Sequence, residues 1–177
     1  MMDCKKALVE TNGDMEAAVT WLREKGISKA AKKVSRIAAE GVCSYKIEGN
    51  KAVTFEVNCE TDFVAKSPKF AELVDEIGTA LLAKCPVSDE AALEVEYNGV
   101  KVSEFLVNAT ATIGEKISLR RVEVYEKNDN QVFGAYSHMQ GKIVALCVLD
   151  GEKEEVAKDV CMHVAAMSPK YLDKNSI

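Results

Sequence analysis

The chain has 177 residues, a formal net charge of −5 and 47% hydrophobic residues, enough to bury a substantial core and too acidic for a surface built throughout to grip phosphates. Six cysteines at wide spacings, with no Cys-x-x-Cys pair, argue against a disulfide frame and read as reduced thiols packed as small hydrophobes. The longest apolar run, Ile143 to Leu149, is too short to cross a bilayer as a helix, and the composition reads as that of a soluble intracellular chain.

In chain order, residues 2–9 predict a first helix and Thr11-Asn12-Gly13-Asp14 a stop. Met15, Ala18, Val19 and Leu22 then recur at helical spacing, with Asp14 placed to cap the second helix. Lys25, Lys29, Lys32, Lys33 and Arg36, interleaved with alanines, predict a linker helix whose cationic face is either solvated or turned toward an acidic partner. A hairpin follows: Val42 to Ile47, a turn at Glu48-Gly49-Asn50, and a strand over 52–58 with Val53, Phe55 and Val57 on one buried face. The string Asn58-Cys59-Glu60-Thr61-Asp62-Phe63-Val64-Ala65-Lys66 comes after the alternation stops and reads as a loop. Local pattern leaves Phe63 two places, under the next helix or at a tip that meets another surface.

Ser67 and Pro68 then predict a helix start, Phe70, Leu73, Val74, Ile77 and Leu81 an inward stripe, and Cys85-Pro86 its end. Val102, Phe105, Leu106, Ala109 and Ile113 predict another helix, ended by Gly114, and Lys116 to Glu126 a strand. From Gln131 the plan restarts with a strand through His138, a turn near Gly141 and the apolar strand Ile143 to Leu149. A last helix is expected to turn Val156, Val160, Val164 and Met167 inward. Hairpin followed by helix occurs twice, the mark of a duplicated subdomain.

The motifs of covalent and nucleotide chemistry are missing. No Gly-x-x-x-x-Gly-Lys-Ser/Thr cradle, Gly-x-Gly-x-x-Gly turn or His-Glu-x-x-His helix occurs, so neither a cofactor nor a metal site is expected. Cys59, Asp62 and His138 or His163 could be assembled into a nucleophilic site, but nothing near Cys59 in sequence supplies a base or lowers its pKa, so it reads as a packed thiol. His163, on the last helix, reads as a hydrogen-bonded structural residue. His138, just before a turn, is either interfacial or simply solvated.

The nine-residue string from Asn58 to Lys66 closely resembles the signature of the elongation factor Ts family. Four further stretches resemble family motifs in family order: Met1-Met2-Asp3-Cys4-Lys5-Lys6-Ala7-Leu8, Lys29-Ala30-Ala31-Lys32-Lys33, Ile113-Gly114-Glu115-Lys116-Ile117-Ser118-Leu119-Arg120-Arg121, and Met162-His163-Val164-Ala165-Ala166. The resemblance implies an α+β fold in which a small ubiquitin-associated-like helical module precedes hairpin-plus-helix subdomains with antiparallel sheet. It divides the chain into residues 1–36 (the module, lacking its first helix, with the basic linker), 37–130 (the core N-subdomain) and 131–177 (a partial core C-subdomain). Truncation at both ends is therefore expected.

The function implied is that of a guanine-nucleotide exchange factor for elongation factor Tu, a binding protein rather than an enzyme. By the same resemblance Thr61, Asp62, Phe63 and Val64 enter the partner near its magnesium site. Ile113, Gly114 and His138 match further contacts to the nucleotide-binding domain, and Met1 and Met2 match apolar contacts of the helical module. The implied setting is a bacterial cytoplasm or the matrix of an organelle of bacterial descent, with no membrane or nucleic-acid partner and with homo-oligomers allowed. Two other readings stand beside it: an adaptor that uses only the N-terminal helix pair, and an RNA-binding factor that uses Lys25 to Arg36. The second has only Trp21 near those charges and no stacking platform.

Overall fold

The computed structural model describes residues 2–171 and 173–176. Two helices open the chain, α1 (Met2–Glu10) and α2 (Met15–Ala31), and Asp14 caps the second by accepting from the Ala17 N–H at 3.0 Å. The cationic stretch is not a separate linker helix. Lys25 and Lys29 belong to α2, which continues through Gly26 because that residue packs against Ala111, and turns follow from Lys32. Most of those charges stay exposed, but four of the five meet groups of this chain: Lys25 lies over the Trp21 ring, Lys29 pairs with Asp3 at 2.8 Å, Lys33 donates to the Gly114 carbonyl, and Arg36 meets Glu60 at 3.3 Å.

The predicted hairpin is β1 (Glu40–Glu48) and β2 (Lys51–Cys59), antiparallel, with Lys51 opposite Glu48 across the Gly49-Asn50 turn. β5 (Ser118–Glu126) pairs with the far edge of β2, so β2 is central in a sheet of order β1-β2-β5. A central strand covered on both sides explains why burial departs from simple alternation. Val53, Phe55 and Val57 are buried as expected, and so are Ala52, Glu56 and Asn58. α4 (Pro68–Lys84) lays Phe70, Leu73, Val74, Ile77 and Leu81 on the sheet, after a start at which Ser67 accepts from the Phe70 N–H. α6 (Val102–Ile113) closes the same core with Val102 and Leu106 and ends at Gly114, whose φ of +91° is the left-handed turn a glycine accepts without cost.

Between these helices lie α5 (Asp89–Leu93) and a small hairpin, β3 (Glu96–Tyr97) with β4 (Val100–Lys101). α5 has a structural duty. The register of β2 with β5 shifts between Thr54 and Glu56, and Arg121 sits there at φ +55°. The N–H groups of Arg121 and Val122 would lose their ladder partners at this bulge, and the Asp89 carboxylate accepts both, at 2.9 and 2.7 Å.

The second hairpin, β6 (Gln131–His138) with β7 (Ile143–Asp150), is followed by α7 (Glu154–Met167). Hairpin then helix thus occurs twice. The inward face of α7 differs from the expectation: Ala157 and Cys161 are buried and Val160 is half-buried, whereas Val156, Val164 and Met167 are exposed. A side chain on Gly134 of β6 would collide with the Ala157 backbone, so this helix lies close to its hairpin through small residues and leaves the larger valines outside. The β6–β7 turn docks on the first sheet: the Cys43 N–H donates to the Gly141 carbonyl at 2.7 Å, and Lys142 pairs with Glu40 at 2.6 Å. No helix among the described residues is long and apolar enough to cross a membrane.

Candidate functional site

The signature string is not a loop. β2 ends at Cys59, and one turn of helix, α3 (Asp62–Ala65), begins three residues later with Thr61 as its cap, the Val64 N–H pointing at the Thr61 hydroxyl. A single turn gives its side chains fixed and different directions. Val64 and Ala65 pack against the core, while Phe63, one position away, is 83% exposed. Asp62 is half-buried and accepts from Lys66 at 2.8 Å, one turn along. That hydrogen bond, and then the charge of the same lysine, holds the Asp62 carboxyl below the usual carboxylate range.

So short a helix does not hold itself in place. What fixes it is a carboxylate exchange with the segment after α6. One oxygen of Glu115 accepts the N–H groups of Glu60 and Thr61, each at 3.0 Å, and its other oxygen accepts the Thr61 hydroxyl at 2.7 Å. In return Glu60 accepts the Lys116 N–H at 2.7 Å, and this bond, helped by Arg36, holds the Glu60 carboxyl below its ordinary range. Lys116 in turn donates to the carbonyls of Val34 and Arg36 at 2.6 and 2.9 Å, tying in the chain that leads from α2. Sequence reading assigned no role to Glu60, Glu115 or Lys116. An acid two residues before Asp62 and another just after a helix-ending glycine were the signal available.

The stitching brings Thr61, Phe63, Val64 and Ile113 to one open groove of about 800 Å³, completed by Pro68, Lys69, Thr112 and Glu115. Gly114 is exposed at the head of the strap that carries Glu115. His138 stands elsewhere. It is exposed at the end of β6, its Nδ1 3.0 Å from the Tyr136 hydroxyl. A depression of about 400 Å³ separates that turn (Ser137, Gln140, Gly141) from Ala65, Lys66 and Pro68. The groove and the His138 turn therefore flank α3 and the start of α4. Met2 is 77% exposed on α1 and lines neither depression, and Met1 lies outside the described residues. His163 is exposed on the outer side of α7, not the hydrogen-bonded structural residue expected.

Chemically, the groove presents an aromatic ring and the aliphatic side chains of Val64 and Ile113 beside one carboxylate. Cys59 is buried, and burial together with the Glu115 charge pushes its thiol up to about 11, the opposite of what a nucleophile needs.

Comparison with known proteins agrees with the motifs. A family model described as Elongation factor TS matches residues 60–177. Elongation factor Ts of Acholeplasma laidlawii (strain PG-8A) is 54% identical over 178 residues, an alignment that covers 100% of this chain and 60% of that relative. The chain thus spans about 60% of the length of the curated relative it matches. Signature turn, stitched strap and similarity along the whole length agree, and the chain belongs to the elongation factor Ts family.

Proposed function

We propose that this chain is a translation elongation factor that binds elongation factor Tu in its GDP-bound form and speeds the release of GDP. The observation that carries the reading is the ring of Phe63, 83% exposed on a turn whose neighbours Val64 and Ala65 are anchored in the core. An aromatic ring held outward in this way loses little conformational freedom when it is buried in a partner, and its burial contributes about 2 kcal/mol. Asp62, now paired with Lys66, exchanges that exposed pair for hydrogen bonds in a desolvated interface, where a carboxylate acceptor is stronger. Ile113 and Gly114 extend the contact along the groove, and His138 adds one from the far side of the second depression. The exposed apolar residues of the helical module, Met2, Val9, Met15 and Val19, add affinity without touching nucleotide.

In this reading residues 1–36 serve as the affinity module, 37–130 carry the wedge and 131–177 supply the flanking turn. The partner's magnesium and diphosphate favour one arrangement of its site, and the inserted Asp62-Phe63 pair favours another. Each ligand then weakens the other by the same factor, and no covalent step is involved. The test is that reciprocity. At one fixed free magnesium concentration, the factor by which saturating chain raises the Kd of GDP for elongation factor Tu is measured, and so is the factor by which saturating GDP raises the Kd of the chain. Equal factors well above one support exchange, while tight binding with both factors equal to one favours the adaptor reading.

A further inference from the structure

Cys147 and Cys161 meet where α7 crosses its own hairpin. Cys147 of β7 stands opposite Gly134 of β6, the residue over which the Ala157 backbone passes. Ala157 and Cys161, one helical turn apart, are the buried residues of α7, so the close approach that the missing side chain allows also delivers Cys161 to Cys147. The Cys161 thiol donates to the Cys147 sulfur at 3.4 Å, and the Cys147 thiol points to the Ala157 carbonyl at 3.4 Å. Both cysteines are free thiols, and among the described residues no other two cysteine sulfurs are in contact. Their access differs: Cys161 is 1% exposed, whereas Cys147 is only partly buried.

We infer that Cys147 and Cys161 form a modification site for hydroperoxides, in which Cys147 takes the oxidant and Cys161 closes a disulfide that fastens α7 to β7. The Cys147 thiol gives its proton to water, and the thiolate attacks one peroxide oxygen. The O–O bond breaks, the departing oxygen leaves as alkoxide or hydroxide and takes up a proton, and Cys147 becomes a sulfenic acid. The Cys161 sulfur then attacks the Cys147 sulfur. The S–O bond breaks and the oxygen leaves as water with the proton of Cys161. In sum two thiols and one hydroperoxide give one disulfide, one water and one alcohol, or two waters when the oxidant is hydrogen peroxide. The sulfurs must close from 3.4 Å to about 2.0 Å. The order of events follows from access and from acidity. Burial, and then the Cys147 thiol beside it, pushes the Cys161 thiol up to about 12, which makes it a poor first nucleophile.

The test is peptide mapping of the full chain after treatment with millimolar hydrogen peroxide and alkylation under denaturing, non-reducing conditions. The tryptic peptides 143–153 and 159–170 are expected as one linked species, absent without peroxide and separated by dithiothreitol. Cys161→Ser is expected to accumulate sulfenic acid at Cys147, seen as several-fold more dimedone adduct than in the wild type. Cys147 carried on to sulfinic acid in the wild type with Cys161 alkylated, or both peptides recovered unlinked, would overturn the inference. Should the variant not fold, the wild-type map alone decides.

Discussion

Glu115 holds Thr61 by two groups at once, accepting its backbone N–H at 3.0 Å and its hydroxyl at 2.7 Å. These residues are 54 positions apart in sequence, and the bonds between them decide where the Phe63 ring points. The geometry of the tip therefore belongs as much to the strap after α6 as to the signature string itself.

Removing that acceptor leaves two partly buried N–H groups without a partner. Glu115→Ala is expected to lower stability by about 2 kcal/mol, the size of a lost charge-assisted hydrogen bond. It should also speed hydrogen exchange at the Glu60 and Thr61 amides more than at β2 amides such as that of Val57. Amide exchange followed by NMR checks both, and uniform change across the sheet would contradict a local stitch.

Glu56 is buried on the central strand, bonded to Asn58 at 2.6 Å and Arg120 at 2.8 Å, with Arg121 on its second oxygen. Burial works to raise its pKa, but the hydrogen bonds from Asn58 and Arg120 and the charges of both arginines outweigh it and hold the carboxyl below the ordinary range. With the folded value lower than the unfolded one, the stabilisation is complete above the ordinary glutamate pKa of about 4.3 and is lost as pH falls through the folded value. Glu56→Gln is expected to cost about 2 kcal/mol at neutral pH, reduced from a fully buried pair because both arginines reach solvent. It should also flatten the acid limb of stability. Urea unfolding across the acid range checks this, and equal acid limbs for the two proteins would contradict it.

Gly134→Ala places a methyl group against the Ala157 backbone. Backbone cannot yield as a side chain tip does, so a loss of about 3 kcal/mol is expected, at the upper end for overpacking. Because only the β6, β7 and α7 unit is touched, amide protection should fall there and persist in β2. A variant with full protection in α7 would mean that the helix does not sit on that glycine.

Much of the fold was legible because single residues carried it. Asp14, Ser67 and Gly114 mark helix ends by their own chemistry, and the α4 stripe from Phe70 to Leu81 is long enough to have one reading. α5 and the β3–β4 hairpin were not read, since elements of five and two residues show no period. Asn98-Gly99, both at positive φ, was nonetheless a usable turn signal. The face of α7 was misjudged because Val156, Val160 and Val164 share the same spacing as Ala157 and Cys161, and hydrophobicity favours valine where close approach favours alanine. At the site, Phe63 and Asp62 were legible as candidates from a motif, but the helical turn and its Glu115 anchor were not, because an anchor from a distant segment leaves no local pattern.

The most direct test of the central claim is stopped-flow release of a fluorescent GDP analogue from elongation factor Tu, driven by the wild-type chain and by Phe63→Ala. The ring is exposed, so the variant should unfold within about 0.5 kcal/mol of the wild type. The account predicts that the wild type speeds release and that the variant, folded and at equal concentration, is slower by about ten-fold or more, the loss that about 1.4 kcal/mol of transition-state contact would give. Equal release rates from the two folded proteins would contradict it.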